Sequence, residues 1–198
     1  MITKGSIQKI LQSIYSTIII GSILFISNSC LKTDETPILI TDADDNNYET
    51  ITIGTQVWMK ENLRTTKYTN GDLIGTTAPA TIDISDESTP KYQWAYDGNE
   101  SNVKSFGRLY TWYAITDIRN VCPSGWHIPT YADWTTLINY LGGESYAGGK
   151  LKELGTTHWQ SPNKGATNLS QFTALPNGGR DYYGTFLNYG TAGNWWTS

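Results

Sequence analysis

The stretch Val121-Cys122-Pro123-Ser124-Gly125-Trp126-His127-Ile128-Pro129-Thr130 limits the fold of this chain more than any other. Its prolines restrict φ, Ser124-Gly125 marks a turn, and Thr130 is placed to cap a helix. Asp133, three residues on, completes a capping box with a shorter acid than usual. Trp134, Leu137, Ile138 and Leu141 then recur at i, i+3, i+4 and i+7, one apolar stripe of a helix. Burying such a stripe contributes about 1.5–3 kcal/mol per side chain. Gly142-Gly143 supplies the C-terminal stop. The segment is therefore expected to be a rigid helix entry anchored by Trp126 and Trp134.

Other elements follow from shorter signals. Ile51 and Ile53, then Val57 and Met59, alternate about Gly54-Thr55, which predicts a β-hairpin with Trp58 on the opposite face. Tyr92, Trp94 and Tyr96 alternate as in a strand, and Leu109, Trp112 and Tyr113 fit one face of a short helix. Residues 147–154 fit a second helix closed by Gly155, and residues 172–176 a short strand. The polar span 76–90 reads as a long loop. Asp42, Asp44 and Asn46 have the alternate spacing of a calcium loop, but Asn47 and Ile53 stand where that loop needs a glycine and a glutamate. An acidic turn opening a hairpin is the expected role, with no metal.

The N-terminal end reads as an address. Lys4 and Lys9 precede the apolar run 18–26, which is shorter than the roughly 20 residues of a membrane span. Small residues follow, as in a secretory signal. Ser27-Asn28-Ser29-Cys30 resembles a bacterial lipoprotein cleavage region, which makes residues 1–29 a signal peptide and Cys30 the lipidation site. A plain signal peptide or an uncleaved anchor fits the same residues. Lys32, Asp34 and Glu35 resemble a surface-export signal of lipoproteins in the Bacteroidetes group, and residues 30–46 read as a tether.

With the leader removed, 12 basic residues face 18 acidic ones, a net charge of −6, which leaves no electrostatic case for nucleic acid. Eight Trp and 13 Tyr against 4 Phe favour rings with a polar handle, suited to half-buried packing or to ligand platforms. Candidate stacking residues are Trp94, Tyr96, Trp159, Tyr182, Tyr183 and Trp195, each of which also fits a core position. No nucleophile elbow, HExxH or glycine-rich phosphate loop occurs. His127 and His158 read as a packed histidine and an exposed-loop histidine, and Arg108 and Arg180 as partners of carbonyls or carboxylates.

Several pieces together resemble the Fibrobacter succinogenes major paralogous domain, a family of bacterial surface and secreted proteins. They are residues 48–54, Gln56-Val57-Trp58-Met59 with Glu61-Asn62-Leu63, residues 107–112, Cys122 to His127, residues 147–152 and residues 172–176. The departure is Asp45, where the acidic turn usually has glycine. The resemblance implies an α+β domain over residues 47–198, compact, with short helices, irregular antiparallel sheet and long loops, related to the C-type-lectin-like and formylglycine-generating-enzyme-like folds. It also implies a further cysteine-bearing strand beyond Trp195-Trp196-Thr197-Ser198, so the chain is expected to be a C-terminally truncated copy in which Cys122 lacks its disulfide partner. A buried free Cys122 is the alternative. The function expected is a lipid-anchored, non-catalytic binding or adhesion module on the outer membrane, without cofactor, meeting an extracellular glycan or protein. A structural surface protein without small ligand, or a degenerate enzyme of the formylglycine-generating type, are the other readings.

Overall fold

The structure is a computed structural model and describes residues 39–198. The expected signal peptide 1–29, the expected lipidation site Cys30 and the expected export signal lie outside the described residues.

The helix entry forms as its residues dictate. Helix Tyr131–Tyr140 is opened by a complete capping box: the Thr130 hydroxyl accepts from the Asp133 amide at 3.2 Å, and the Asp133 carboxylate accepts from the Thr130 amide at 2.9 Å. At the other end Gly143 N–H bonds the Ile138 carbonyl and Gly142 N–H that of Asn139, the paired arrangement of a Schellman stop. Leu137 is fully buried and Leu141 nearly so, with Trp134 and Ile138 packed alongside.

Four two-stranded antiparallel sheets are formed among the described residues. The first pairs β1 (Ile40–Thr41) with β2 (Asn47–Tyr48) across the acidic turn, so paired strand structure begins at Ile40. The Asp42 carboxylate accepts from the Asp44 and Asn46 amides and from Tyr48 Oη, and Asp44 accepts from Thr66 and pairs with Lys67. These acids are occupied by protein donors, as a structural turn requires. Asp45 sits at φ 63°, a left-handed conformation that favours glycine.

The second sheet is the expected hairpin, β3 (Thr50–Ile53) and β4 (Gln56–Met59), joined at Gly54-Thr55. Gly54 has φ 64°, and a Cβ there would lie 2.8 Å from the Tyr140 ring. Its faces differ from the expected ones. Ile51 pairs with Trp58 and Ile53 with Gln56, which puts Trp58 on the isoleucine face; Val57 is 53% exposed on the other. The bulkier indole takes the core because directly paired residues share a face.

The third sheet joins β5 (Gln93–Trp94) to β6 (Leu109–Tyr110). Tyr96 has left the strand for a 3₁₀ turn, and Leu109 is strand rather than helix. Between them runs the short helix α1 (Val103–Phe106), and α2 (Trp112–Ile115) buries Ala114 and Ile115 instead of the expected Trp112 and Tyr113. With the central helix as α3, helix α4 (Glu144–Leu151) begins three residues before the expected 147 and ends at an extended Lys152. Residues 172–176 make one isolated bridge, at Ala174, and the strands lie further on as β7 (Asn177–Arg180) and β8 (Phe186–Tyr189). The loop 76–90 carries no regular structure; it is tied down by buried Ile84 and by Arg180, which donates to the Ala80 and Ile82 carbonyls.

Two apolar clusters result. One gathers Ile53, Trp58, Leu137, Leu141 and Phe172 around α3; the other gathers Tyr68, Ile74, Ile115, Val121 and Cys122. Replacing Thr130 by Ala is expected to lower the unfolding free energy by about 1 kcal/mol through loss of the cap, while Asp45→Gly raises it by roughly 0.5–1 kcal/mol. Urea denaturation of the three proteins measures both.

Candidate functional site

Between the two clusters lies a cleft of about 660 Å³. It is lined by strand β4 with residues 60–63, by residues 125–129 with Asp133 and Trp134, and by residues 172–175 with Asn177 and residues 194–196. Aromatic rings make its wall. Trp58 lies against Trp134 at 4.9 Å between ring centroids and against Phe172 at 6.1 Å, and Trp195 reaches Phe172 at 6.1 Å and Trp134 at 6.5 Å. Trp196 continues the series to Trp112 at 5.7 Å.

The chain from Asn194 to Ser198 is strapped across this cleft by side chains. Trp195 Nε1 donates to Asn62 Oδ1 at 2.9 Å, Trp196 Nε1 to the Tyr110 carbonyl at 2.9 Å, and Trp134 Nε1 to the Trp196 carbonyl at 3.2 Å. Asn177 and Asn194 clasp each other: Asn177 Nδ2 donates to the Asn194 carbonyl and Asn194 N–H to Asn177 Oδ1.

Of the six candidate stacking residues, the cleft holds Trp195, 37% exposed. Trp94 and Trp159, at 4% and 9% exposure, present no free face. Trp94 donates to Thr77 and lies under the Arg180 guanidinium at 4.0 Å, and Trp159 donates to the Ala174 carbonyl. Tyr96 is wedged against Phe186 and Tyr189. Tyr182 and Tyr183 are exposed at 56% and 58% on the turn after β7, with ring centroids 4.2 Å apart, and do not line the cleft. Trp58, Trp126, Trp134 and Trp196 line it without having been singled out as a site. The clustering of tryptophans in Trp126, Trp134 and Trp195-Trp196 was visible, but their convergence on one cleft was not.

The polar groups of the cleft centre on Asp133. Its carboxylate accepts from Thr130 through both amide and hydroxyl, and His127 Nε2 lies 3.1 Å away. The Thr130 bonds, then His127, hold its pKa down at about 2. His127 is exposed rather than packed, on the rim. His158 is half-buried instead of exposed, bonded to Glu153 at 2.8 Å and edge-on to Phe106. Arg108 pairs with Glu100 and donates to the Arg64 carbonyl, and Arg180 donates to carbonyls alone, the structural roles expected of both. Cys122 is the free, buried cysteine among the described residues, and burial pushes its thiol up to about 11. No group of three or more His, Cys, Asp or Glu side chains there could hold a metal, and no helix there is long and apolar enough to cross a membrane.

The model of one protein family, the Fibrobacter succinogenes major domain, matches residues 51–198. The chain belongs to that family. No curated protein and no solved structure matches it. Every residue lining the cleft falls inside the matched Fibrobacter succinogenes major domain, whereas the β1–β2 acidic turn precedes it. The α+β character expected of the family is present as short helices and short antiparallel sheets.

Two measurements follow. Asp133 has a depressed folded pKa, so its stabilising contribution is complete above the unfolded carboxyl value near 4 and fades as pH falls towards about 2. The stability gap between the protein and Asp133→Asn is therefore expected to shrink between pH 4 and pH 2 in denaturant titrations. Iodoacetamide at pH 8 should label the native Cys122 peptide at least ~100-fold more slowly than the urea-unfolded one, because little thiolate forms and the sulfur is covered.

Proposed function

We propose that this chain is a surface-displayed binding module of the outer membrane, anchored through lipid on Cys30, whose cleft takes an extracellular glycan without chemical turnover. The observation that carries the reading is the wall of indole and phenyl rings in a cleft of about 660 Å³, set beside amide, carboxylate and imidazole groups. A sugar ring has an apolar C–H face and a hydroxylated edge, and ring faces next to fixed polar groups meet both. Trp195 is the platform, since it is the stacking candidate that is both exposed and in the cleft. Tyr182 and Tyr183 form a separate exposed patch and serve no role in this site. The C-type-lectin-like and formylglycine-generating-enzyme-like scaffold is part of the same proposal; mixed short helices and antiparallel pairs are in keeping with it, and fold alone does not establish a function.

The test is a glycan-array screen of the full chain in detergent micelles, with and without calcium. Binding to at least one glycan is expected, and Trp195→Ala should weaken it about tenfold or more, measured at a temperature where circular dichroism shows the variant folded. Absence of binding to every glycan under both conditions sinks the reading.

A further inference from the structure

Away from the cleft, one exposed aromatic pair stands on a braced support. Tyr182 and Tyr183 occupy the tip of the β7–β8 hairpin, 56% and 58% exposed, with ring centroids 4.2 Å apart. The turn is closed by Asp181 N–H, which donates to the Thr185 carbonyl at 3.0 Å, and by Thr185 N–H, which donates to Asp181 Oδ1 at 2.8 Å. The loop 76–90 lies directly against it. Ile84 N–H donates to the Tyr182 carbonyl at 2.8 Å, and a Cβ on Gly184 would meet the Thr81 carbonyl oxygen at 2.0 Å. The two rings are thus held out to solvent on a fixed backbone instead of being buried.

The same contacts bring acids to the rings. Asp181 precedes Tyr182 in the chain, and Asp83 precedes Ile84, the residue bonded to Tyr182. Each carboxylate holds one backbone amide through Oδ1, that of Thr185 and that of Ser85. Among the described residues neither is in an ion pair. The Tyr183 hydroxyl is held above the ordinary tyrosine range by its Tyr182 neighbour first, and by the charges of Asp83 and Asp181 after it. Arg180, the cation beside them, is turned to the protein: it donates to the Ala80, Asp181 and Ile82 carbonyls and lies over Trp94. Asp83, Asp86 and Asp181 against this one arginine leave the tip negative.

These features select a ligand class. An anion is repelled, and a neutral sugar leaves the carboxylate charge unanswered. A cation meets both the ring faces and the carboxylates. An ammonium is a compact, strongly hydrated point charge, whereas a planar guanidinium lies on a ring while its edge N–H groups reach carboxylates.

We propose that the β7–β8 tip is a second binding surface, which docks an arginine side chain of an extracellular polypeptide on Tyr182 and Tyr183 with Asp83 and Asp181 as counter-charges. It is separate from the cleft and does not depend on the glycan reading. The carboxylates draw the cation in over a Debye length of about 10 Å at 0.1 M salt. The rings supply the contact, tyrosine and arginine being residue types enriched where protein interfaces bind most strongly.

The experiment is an NMR titration of the full chain, labelled with ¹³C at tyrosine, in micelles of an uncharged detergent. The probe is the acetylated and amidated peptide Gly-Arg-Gly-Arg-Gly. It is compared with the same peptide carrying neutral citrulline or lysine for arginine, and with methyl glucoside. Tyr182→Phe and Tyr183→Phe assign the two ring signals. The arginine peptide is expected to move both signals saturably, and the citrulline peptide to bind about tenfold more weakly. Asp83→Asn and Asp181→Asn keep the Oδ1 acceptors of the backbone amides and should each weaken binding roughly threefold. An equal response to citrulline overturns the role of charge, and an equal response to lysine overturns the guanidinium assignment. A response to methyl glucoside alone makes the tip a sugar patch and overturns the proposal, as does silence of both rings against every probe. The wild-type titrations decide these outcomes even if a variant fails to fold, and none of them bears on the cleft, which the glycan screen tests by itself.

Discussion

The capping box at Thr130 and Asp133 is the contact on which the rest depends. It does more than start α3. The segment before it carries Val121, Cys122, Trp126 and Ile128 into or against one apolar cluster, and the helix after it carries Leu137 and Leu141 into the other. The same aspartate offers its carbonyl to Gln56, which ties hairpin β3–β4 to the helix start. A single turn of chain thus sets the separation of two cores, and that separation is the cleft. An N-cap contributes only about 0.5–2 kcal/mol, yet here its geometry decides where the walls stand.

The walls differ in kind. On the hairpin side a pleated strand places Gln56 and Trp58 on one face, so an amide and an indole stand side by side. The extended, proline-rich entry also lines the cleft and keeps Trp126 and Ile128 only partly buried. The segment 194–198 spans the gap with hydrogen bonds to Asn62, Tyr110 and Pro129 and joins elements distant in sequence. Elsewhere polar chemistry serves structure: Asp42 holds its own turn, Asp44 holds Thr66 and Lys67, Arg180 holds three carbonyls, and Asp117 holds Arg119 and Lys91.

Legibility followed the range of the interaction. The α3 stripe, its cap and its glycine stop were readable because they are local, each set by residues within one or two turns. The β3–β4 hairpin was readable for the same reason, through Gly54-Thr55. Its facing was not, because alternation of Val57 and Met59 with Trp58 fits either side of the strand, and only the fit of an indole between Trp134 and Phe172 breaks the tie. Leu109, Trp112 and Tyr113 have helical spacing, but Leu109 pairs with Trp94 and is drawn into a sheet. Trp94 and Trp159 could be read as platform or core, because nothing local signals the Arg180 and Lys152 cations that lie over them.

What the sequence determined alone was the family, the helix with its two ends, the hairpin and the aromatic-rich, acidic character of the chain. These are properties of neighbours along the backbone and of composition. The tertiary structure decided which tryptophans are core and which line a cleft, because exposure depends on partners as distant as Asn62 and Trp195. It also decided that Trp58 Nε1 and Gln56 Oε1 lie buried without hydrogen-bond partners, a matter of where close packing ends.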